Sequence, residues 1–101
     1  MKRALIVLAS VLTVAAPAMA DEALAKAKNC MACHSVDKKI VGPAYKDVAK
    51  KNGNDASKAG ALADKIMKGG SGVYGAVPMP ANPQVSKEEA TKLATWVLSL
   101  K

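Results

Sequence analysis

The chain has 101 residues, half of them hydrophobic, yet its only aromatics are one tryptophan and two tyrosines, so it is a single small domain whose own apolar core is marginal. The formal charge of +7 does not read as a nucleic-acid footprint, because the lysines are spread along the sequence and no arginine follows Arg3. Two cysteines and one histidine are too few for a four-ligand zinc centre.

Lys2 and Arg3 form a basic start, residues 4–16 are uncharged and mostly apolar, and Ala18, Met19 and Ala20 make a small-x-small cleavage site. The apolar run stops at Pro17, short of the ~20 residues that a membrane span requires. The pattern predicts a secretory signal peptide over residues 1–20, cleaved after Ala20, with no transmembrane anchor left behind. The mature part, residues 21–101, is then 81 residues long, with 13 basic and 8 acidic side chains. Export separates it from DNA, so a nucleic-acid partner is not expected. The basic excess suits an acidic protein partner or an anionic membrane surface, or serves solubility alone.

Residues 21 to about 30 are predicted as the first helix, with Asp21 and Glu22 at its start, Lys26 and Lys28 near its end and alanines between. Leu24, Ala27 and Met31 fall on one face of that helix. At its end stand Cys30, Met31, Ala32, Cys33 and His34. Cys-x-x-Cys-His is the attachment signature of c-type haem, in which each sulfur adds to a haem vinyl group and the histidine is placed beneath the iron as an axial ligand. A thioredoxin-like pair would want a βαβ setting, and nothing here alternates with period two over a useful length. A strained local disulfide is the remaining structural reading of the two cysteines.

Residues 35–42 are connecting chain, Gly42-Pro43 marks a turn, and residues 45–51 are a short helix closed by Asn52-Gly53. A third helix starts between Asp55 and Lys58, carries Leu62 and Ile66 at i and i+4, tolerates Gly60, and stops at Gly69-Gly70. Residues 69–83 hold four glycines and three prolines and are expected as an irregular strap. The last helix opens with a capping box, Ser86 followed by Glu89, flanked by Val85 and Ala90 as a hydrophobic staple. Leu93, Trp96, Val97 and Leu100 make its apolar stripe. The first and last helices cannot cover each other's stripes without a third body. A buried porphyrin would supply that surface, and the apoprotein is expected to be disordered or molten. The fold class that follows is all-α, with four or so short helices wrapped around one covalently bound haem, and with no internal repeat or second domain.

His34 is the only histidine, so two histidines cannot ligate one iron within the chain. The second axial position falls to Met31, Met67 or Met79, or stays open. Met31 lies between the cysteines, too close to the attachment side to cross the porphyrin plane, and Met67 stands beside Ile66 on a helix, where methionine usually fills a core. Met79 sits between Pro78 and Pro80, whose rings fix the backbone on both sides and present the sulfur with little entropy left to lose. His34 and Met79 together would fill both axial positions, and the soft thioether favours ferrous iron. That arrangement implies reversible one-electron transfer. No acid cluster suggests an enzyme, since the one histidine is already committed.

At this point the mature sequence resembles, over essentially its whole length, a small bacterial class I cytochrome c of the c-551/c-552 type. The resemblance rests on Cys-Met-Ala-Cys-His at 30–34, Val-Gly-Pro-Ala-Tyr-Lys-Asp-Val-Ala at 41–49, Lys-Gly-Gly-Ser-Gly-Val-Tyr-Gly at 68–75, Val-Pro-Met-Pro at 77–80 and Trp-Val-Leu-Ser-Leu-Lys at 96–101. It implies the small class I cytochrome c fold, with the first and last helices packed across each other, and one haem c held through Cys30 and Cys33. It also implies that the Pro43 carbonyl accepts the Nδ1 proton of His34 and that the Asn82 amide bonds near the Met79 sulfur. Two residues depart from the pattern. Tyr74 stands where relatives carry a tryptophan that donates to a haem propionate, and Asn52 stands where an aromatic commonly follows the paired lysines. The implied function is that of a monomeric, soluble periplasmic carrier of single electrons from a membrane quinol-oxidising complex to a terminal oxidase or nitrite reductase, docking on acidic surfaces of those redox proteins. The competing functions are a haem-based sensor in which Met79 is displaced by a small molecule, and a subunit of a larger redox enzyme.

Overall fold

The structure, a computed structural model, describes residues 17–101; the basic start and the apolar run of residues 1–16 lie outside it. Four α-helices make up the described part: α1 (Pro17–Ala27), α2 (Tyr45–Lys51), α3 (Ala59–Lys68) and α4 (Lys87–Leu98). Single 3₁₀ turns at Cys30–Ala32 and Ala56–Lys58 add to these. Among the described residues there is no strand, only isolated bridges between His34 and Lys39 and between Gly70 and Met79.

α1 begins earlier and ends sooner than its sequence suggested. Pro17 occupies the first helical position, where its missing N–H costs nothing, and no residue between it and Ala27 breaks the helix. The helix therefore runs across the expected cleavage position. It stops at Ala27 because Asn29 turns into the left-handed region (φ 65°), and the cysteine motif then opens on a turn of its own. That break also changes which residues face inward: Ala25 is fully buried and Leu24 partly so, Ala27 is exposed, and Met31 reaches the core from the 3₁₀ turn.

α4 packs against α1, α2 and α3. A helix enclosed on several sides needs more than one apolar stripe, so Ala90, Ala94 and Leu98 are buried together with Leu93, Trp96 and Val97, while Leu100 lies beyond the helix and is only partly covered. Small side chains let the helices approach closely: Ala25, Ala59, Ala63, Ala90 and Ala94 share one cluster with Trp96, Val97 and Leu98.

Both ends of α4 are pinned. At the start the capping box is complete, with the Glu89 N–H donating to Ser86 Oγ at 3.1 Å and the Ser86 N–H to Glu89 Oε1 at 3.0 Å. Those bonds, the Ser86 N–H foremost and the Lys28 ammonium 3.2 Å away next, hold the Glu89 carboxyl below the usual carboxylate range. Lys28 Nζ also donates to the Gln84 carbonyl and Gln84 Nε2 to the Lys28 carbonyl, at 3.1 and 3.2 Å, which fastens the end of α1 to the start of α4. At the other end Asn54, itself at a positive φ of 52°, donates from Nδ2 to the carbonyls of Leu98 and Leu100 at 3.0 and 2.7 Å. No helix among the described residues is long and apolar enough to cross a membrane.

Candidate functional site

An open, apolar cleft runs between two stretches of chain. Cys33, His34, Gly42, Pro43, Tyr45 and Val48 line it from the motif and the start of α2, and Leu62, Ile66, Tyr74, Val77, Pro78 and Met79 line it from α3 and the strap that follows. Val97 of α4 adds to the lining, and among the described residues Lys65 is its only charged side chain.

His34 is buried, with 9% of its surface exposed, and its Nδ1 lies 2.8 Å from the Pro43 carbonyl oxygen. The carbonyl has no hydrogen to give, so Nδ1–H is the donor, which in the neutral imidazole leaves the lone pair on Nε2. The ring stacks on Tyr45 at 4.9 Å and 19°, and Tyr45 meets Trp96 edge-on at 5.4 Å. Gly42 is required by the imidazole itself: a Cβ there would stand 2.6 Å from His34 Cε1. The loop that brings Gly42 so close is closed by the Gly42 N–H to the Cys33 carbonyl at 2.7 Å and the Tyr45 N–H to the Ser35 carbonyl at 2.9 Å.

The Cys30 carbonyl accepts from the N–H groups of Cys33 and His34, at 3.2 and 3.0 Å, so both cysteines and the histidine ride on one tight turn. The two thiols are free and partly buried, which removes the disulfide reading. Burial pushes the Cys30 thiol upward. Burial first, and then the neighbouring Cys30, pushes the Tyr45 phenol above its ordinary range.

Of the methionines at 31, 67 and 79, only Met79 lines the cleft; Met31 and Met67 are partly buried against the core. Met79 is held by a reciprocal pair of main-chain bonds with Gly70, at 2.7 and 3.0 Å. Gly69 makes that pairing feasible, since it adopts φ 78° and a Cβ on it would run into the Met79 carbonyl. Asn82, whose amide the resemblance expects to bond near the Met79 sulfur, makes its hydrogen bonds to main-chain carbonyls on either side of that residue. Asn82 Nδ2 donates to the carbonyls of Ile66 and Pro80, at 2.8 and 3.3 Å, and its N–H to the Met67 carbonyl at 3.0 Å. The reason lies at the end of α3, whose last carbonyls lack helical partners and take both donors of Asn82.

Tyr74 is half-buried in the cleft wall, its hydroxyl 3.4 Å from Asn52 Nδ2 and its ring 5.5 Å beneath Lys51 Nζ. Sequence reasoning picked out Tyr74 and Asn52 separately; that they meet is visible only in the structure. Gly42 was legible as a turn residue, but its contact with the imidazole was not.

The residues fit a covalently held haem. Two free thiols and a buried imidazole with its Nε2 lone pair unspent share one turn. Cys33 and His34 open on the same apolar cleft as a thioether fixed at two main-chain points. They do not fit zinc or a carboxylate-bound metal: among the described residues no three His, Cys, Asp or Glu side chains are placed so that they could hold one metal ion.

Comparison with known proteins bears on the same residues. A family model described as cytochrome c matches residues 20–101. A cytochrome c-552 of Hydrogenobacter thermophilus is 53% identical over 102 residues, covering 100% of both chains. A cytochrome c-551 of Stutzerimonas stutzeri is 58% identical over 87 residues, covering 84% of this chain and 83% of that one. The crystal structure of Nitrosomonas europaea cytochrome c552 superposes with a TM-score of 0.76 at 51% identity, covering 79% of this chain and 99% of that chain.

Proposed function

Since the chain belongs to the cytochrome c family, as a small class I member of the c-551/c-552 type that carries covalent haem c, we propose that it is a soluble periplasmic carrier of single electrons. In this reading Cys30 and Cys33 would hold the haem through two thioethers, and the His34 imidazole and the Met79 thioether would hold its iron. One observation carries it: the buried His34 spends Nδ1 on Pro43, so its free Nε2 is presented in the cleft that Met79 alone of the mature chain's methionines lines.

The haem, when bound, supplies a reversible one-electron change at its iron. The chain's residues hold everything else still. Pro43 fixes the ring orientation and tautomer of His34 and raises the basicity of Nε2. Tyr45, wedged between His34 and Trp96, resists rotation of the imidazole. The Gly70 pairing and the flanking prolines hold the Met79 main chain still, which narrows the positions its sulfur can reach and would keep rearrangement between redox states small. Thioether ligation and an apolar lining both favour the less charged ferrous state. His34 and Met79 together would leave the iron no place for a substrate, which agrees with the electron-carrier relatives in arguing against an enzyme.

A leader over residues 1–20 completes the proposal, supported by the family match beginning at residue 20. The lysines of the mature chain suit brief docking on acidic faces of a quinol-oxidising donor and of an oxidase or nitrite reductase acceptor, with salt-sensitive association. The test is spectroscopic. The oxidised protein is expected to show the weak near-infrared sulfur-to-iron band, and the reduced protein to bind carbon monoxide slowly or not at all at neutral pH. Met79→Ala should abolish the band and open the iron to carbon monoxide. Prompt carbon monoxide binding by the unaltered protein would instead support a sensor, and an unchanged band in Met79→Ala would mean that another sulfur ligates.

A further inference from the structure

The two residues that depart from the family pattern touch each other. Asn52 Nδ2 donates to the Tyr74 hydroxyl oxygen at 3.4 Å and to the Val48 carbonyl, in the last turn of α2, at 2.8 Å. Both amide hydrogens are thus used, and the shorter bond to the main chain sets the orientation of the amide. Lys51, the preceding residue, places its ammonium 5.5 Å over the tyrosine ring. The end of α2 therefore grips Tyr74 twice, at the ring and at the oxygen.

A phenol carries one hydrogen and two acceptor lone pairs. An amide nitrogen cannot accept, so the bond from Asn52 occupies a lone pair and leaves the phenolic hydrogen to be donated elsewhere. Tyr74 lines the cleft with Lys65, which cannot accept, and Ser71, and among the described residues the phenol donates to neither Ser71 nor any other protein acceptor. The acceptors a haem brings to such a cleft are its two propionate carboxylates.

Building on the haem-carrier reading, we infer that Asn52 is a positioning residue that commits Tyr74 to donate its hydroxyl hydrogen to a haem propionate, and so raises the reduction potential. Donation to the carboxylate withdraws negative charge from the neighbourhood of the iron, and less negative charge favours the ferrous form. Asn52 acts only through the tyrosine oxygen, which gives the inference a sharp form. Its influence on the potential must disappear when that oxygen is removed.

The experiment is a double-mutant cycle on the haem-loaded protein, read as midpoint potential at neutral pH with the near-infrared band as control for intact ligation. Tyr74→Phe and Asn52→Ala should each lower the potential, and Asn52→Ala should add nothing in the Tyr74→Phe background. Asn52→Asp reverses the bond, because a carboxylate only accepts and draws the phenolic hydrogen away from the cleft. Its potential should fall further in the Tyr74 chain than in the Tyr74→Phe chain, where only the added charge acts. Proton NMR of the reduced protein should show a slowly exchanging Tyr74 hydroxyl hydrogen that is lost in Asn52→Ala. Equal effects of the Asn52 changes in both backgrounds, or a potential unmoved by Tyr74→Phe, would overturn the inference while leaving the carrier reading intact. A product without haem has no potential to measure and would fail the carrier reading instead.

Discussion

The same substitution, glycine to alanine, should act in opposite directions at two positions. At Gly42 the added Cβ falls 2.6 Å from His34 Cε1 and 3.0 Å from Nδ1. Ordinary carbon contacts begin near 3.5 Å, so the imidazole or the loop must give by about 1 Å. The ring has nowhere easy to go, since Nδ1 is bonded to Pro43 and the imidazole is stacked on Tyr45. Overpacking of this kind costs about 1–3 kcal/mol. For a domain of this size each kcal/mol is worth roughly 4–8 °C in Tm, so Gly42→Ala should lower the holoprotein's Tm by about 5–20 °C. At Gly60, exposed on α3, an added Cβ meets nothing within 4 Å. There alanine removes the entropic penalty of glycine in a helix, and stability should rise by up to about 1 kcal/mol. Thermal melts followed by far-ultraviolet circular dichroism and by haem absorbance decide the matter. A Gly42→Ala protein that melts with the parent and keeps its spectrum would show that the close approach to His34 does not constrain the imidazole.

Two further changes separate roles that a sequence comparison merges. Asn82→Ala should lower stability by about 1–2 kcal/mol in chemical denaturation, because the Ile66 carbonyl at the end of α3 and the Pro80 carbonyl in the strap lose their side-chain donor, yet leave the near-infrared band in place at ambient temperature. Loss of the band with stability unchanged would restore a direct role for Asn82 at the sulfur. Glu89, whose folded pKa is depressed by the Ser86 N–H and by Lys28, contributes stability that is complete above its unfolded value near 4.5 and is lost as the pH falls through its lower folded value. Glu89→Gln should therefore be less stable than the parent at pH 7, and the difference should close on acidification below that value. A gap that stays constant with pH would show that its charge plays no part in the cap.

Local signals in the sequence were read correctly where they act locally. The Ser86–Glu89 capping box needs only neighbouring residues, and α4 begins where it indicates. Gly69-Gly70 ends α3, and the glycine and proline content of the strap forbids helix. The start of α1 was misplaced because an alanine-rich stretch continues upstream of Asp21 with nothing to stop it before Pro17. Contacts between distant residues left no trace in the pattern. Asn54 reaches the end of α4 across 44 positions, and Asn52 reaches Tyr74 across 22. In the candidate site the motif at 30–34 and the Pro-Met-Pro segment named the side chains, whereas what keeps them in place, Gly42 under the imidazole and Gly70 paired with Met79, is a matter of tertiary approach.

Everything proposed for this protein rests on a porphyrin bonded to Cys30 and Cys33, and denaturing intact-mass analysis of the exported product addresses it most directly. The expected product is a polypeptide of residues 21–101 heavier by one haem, with the added mass surviving acid extraction. A product with the bare polypeptide mass would contradict it.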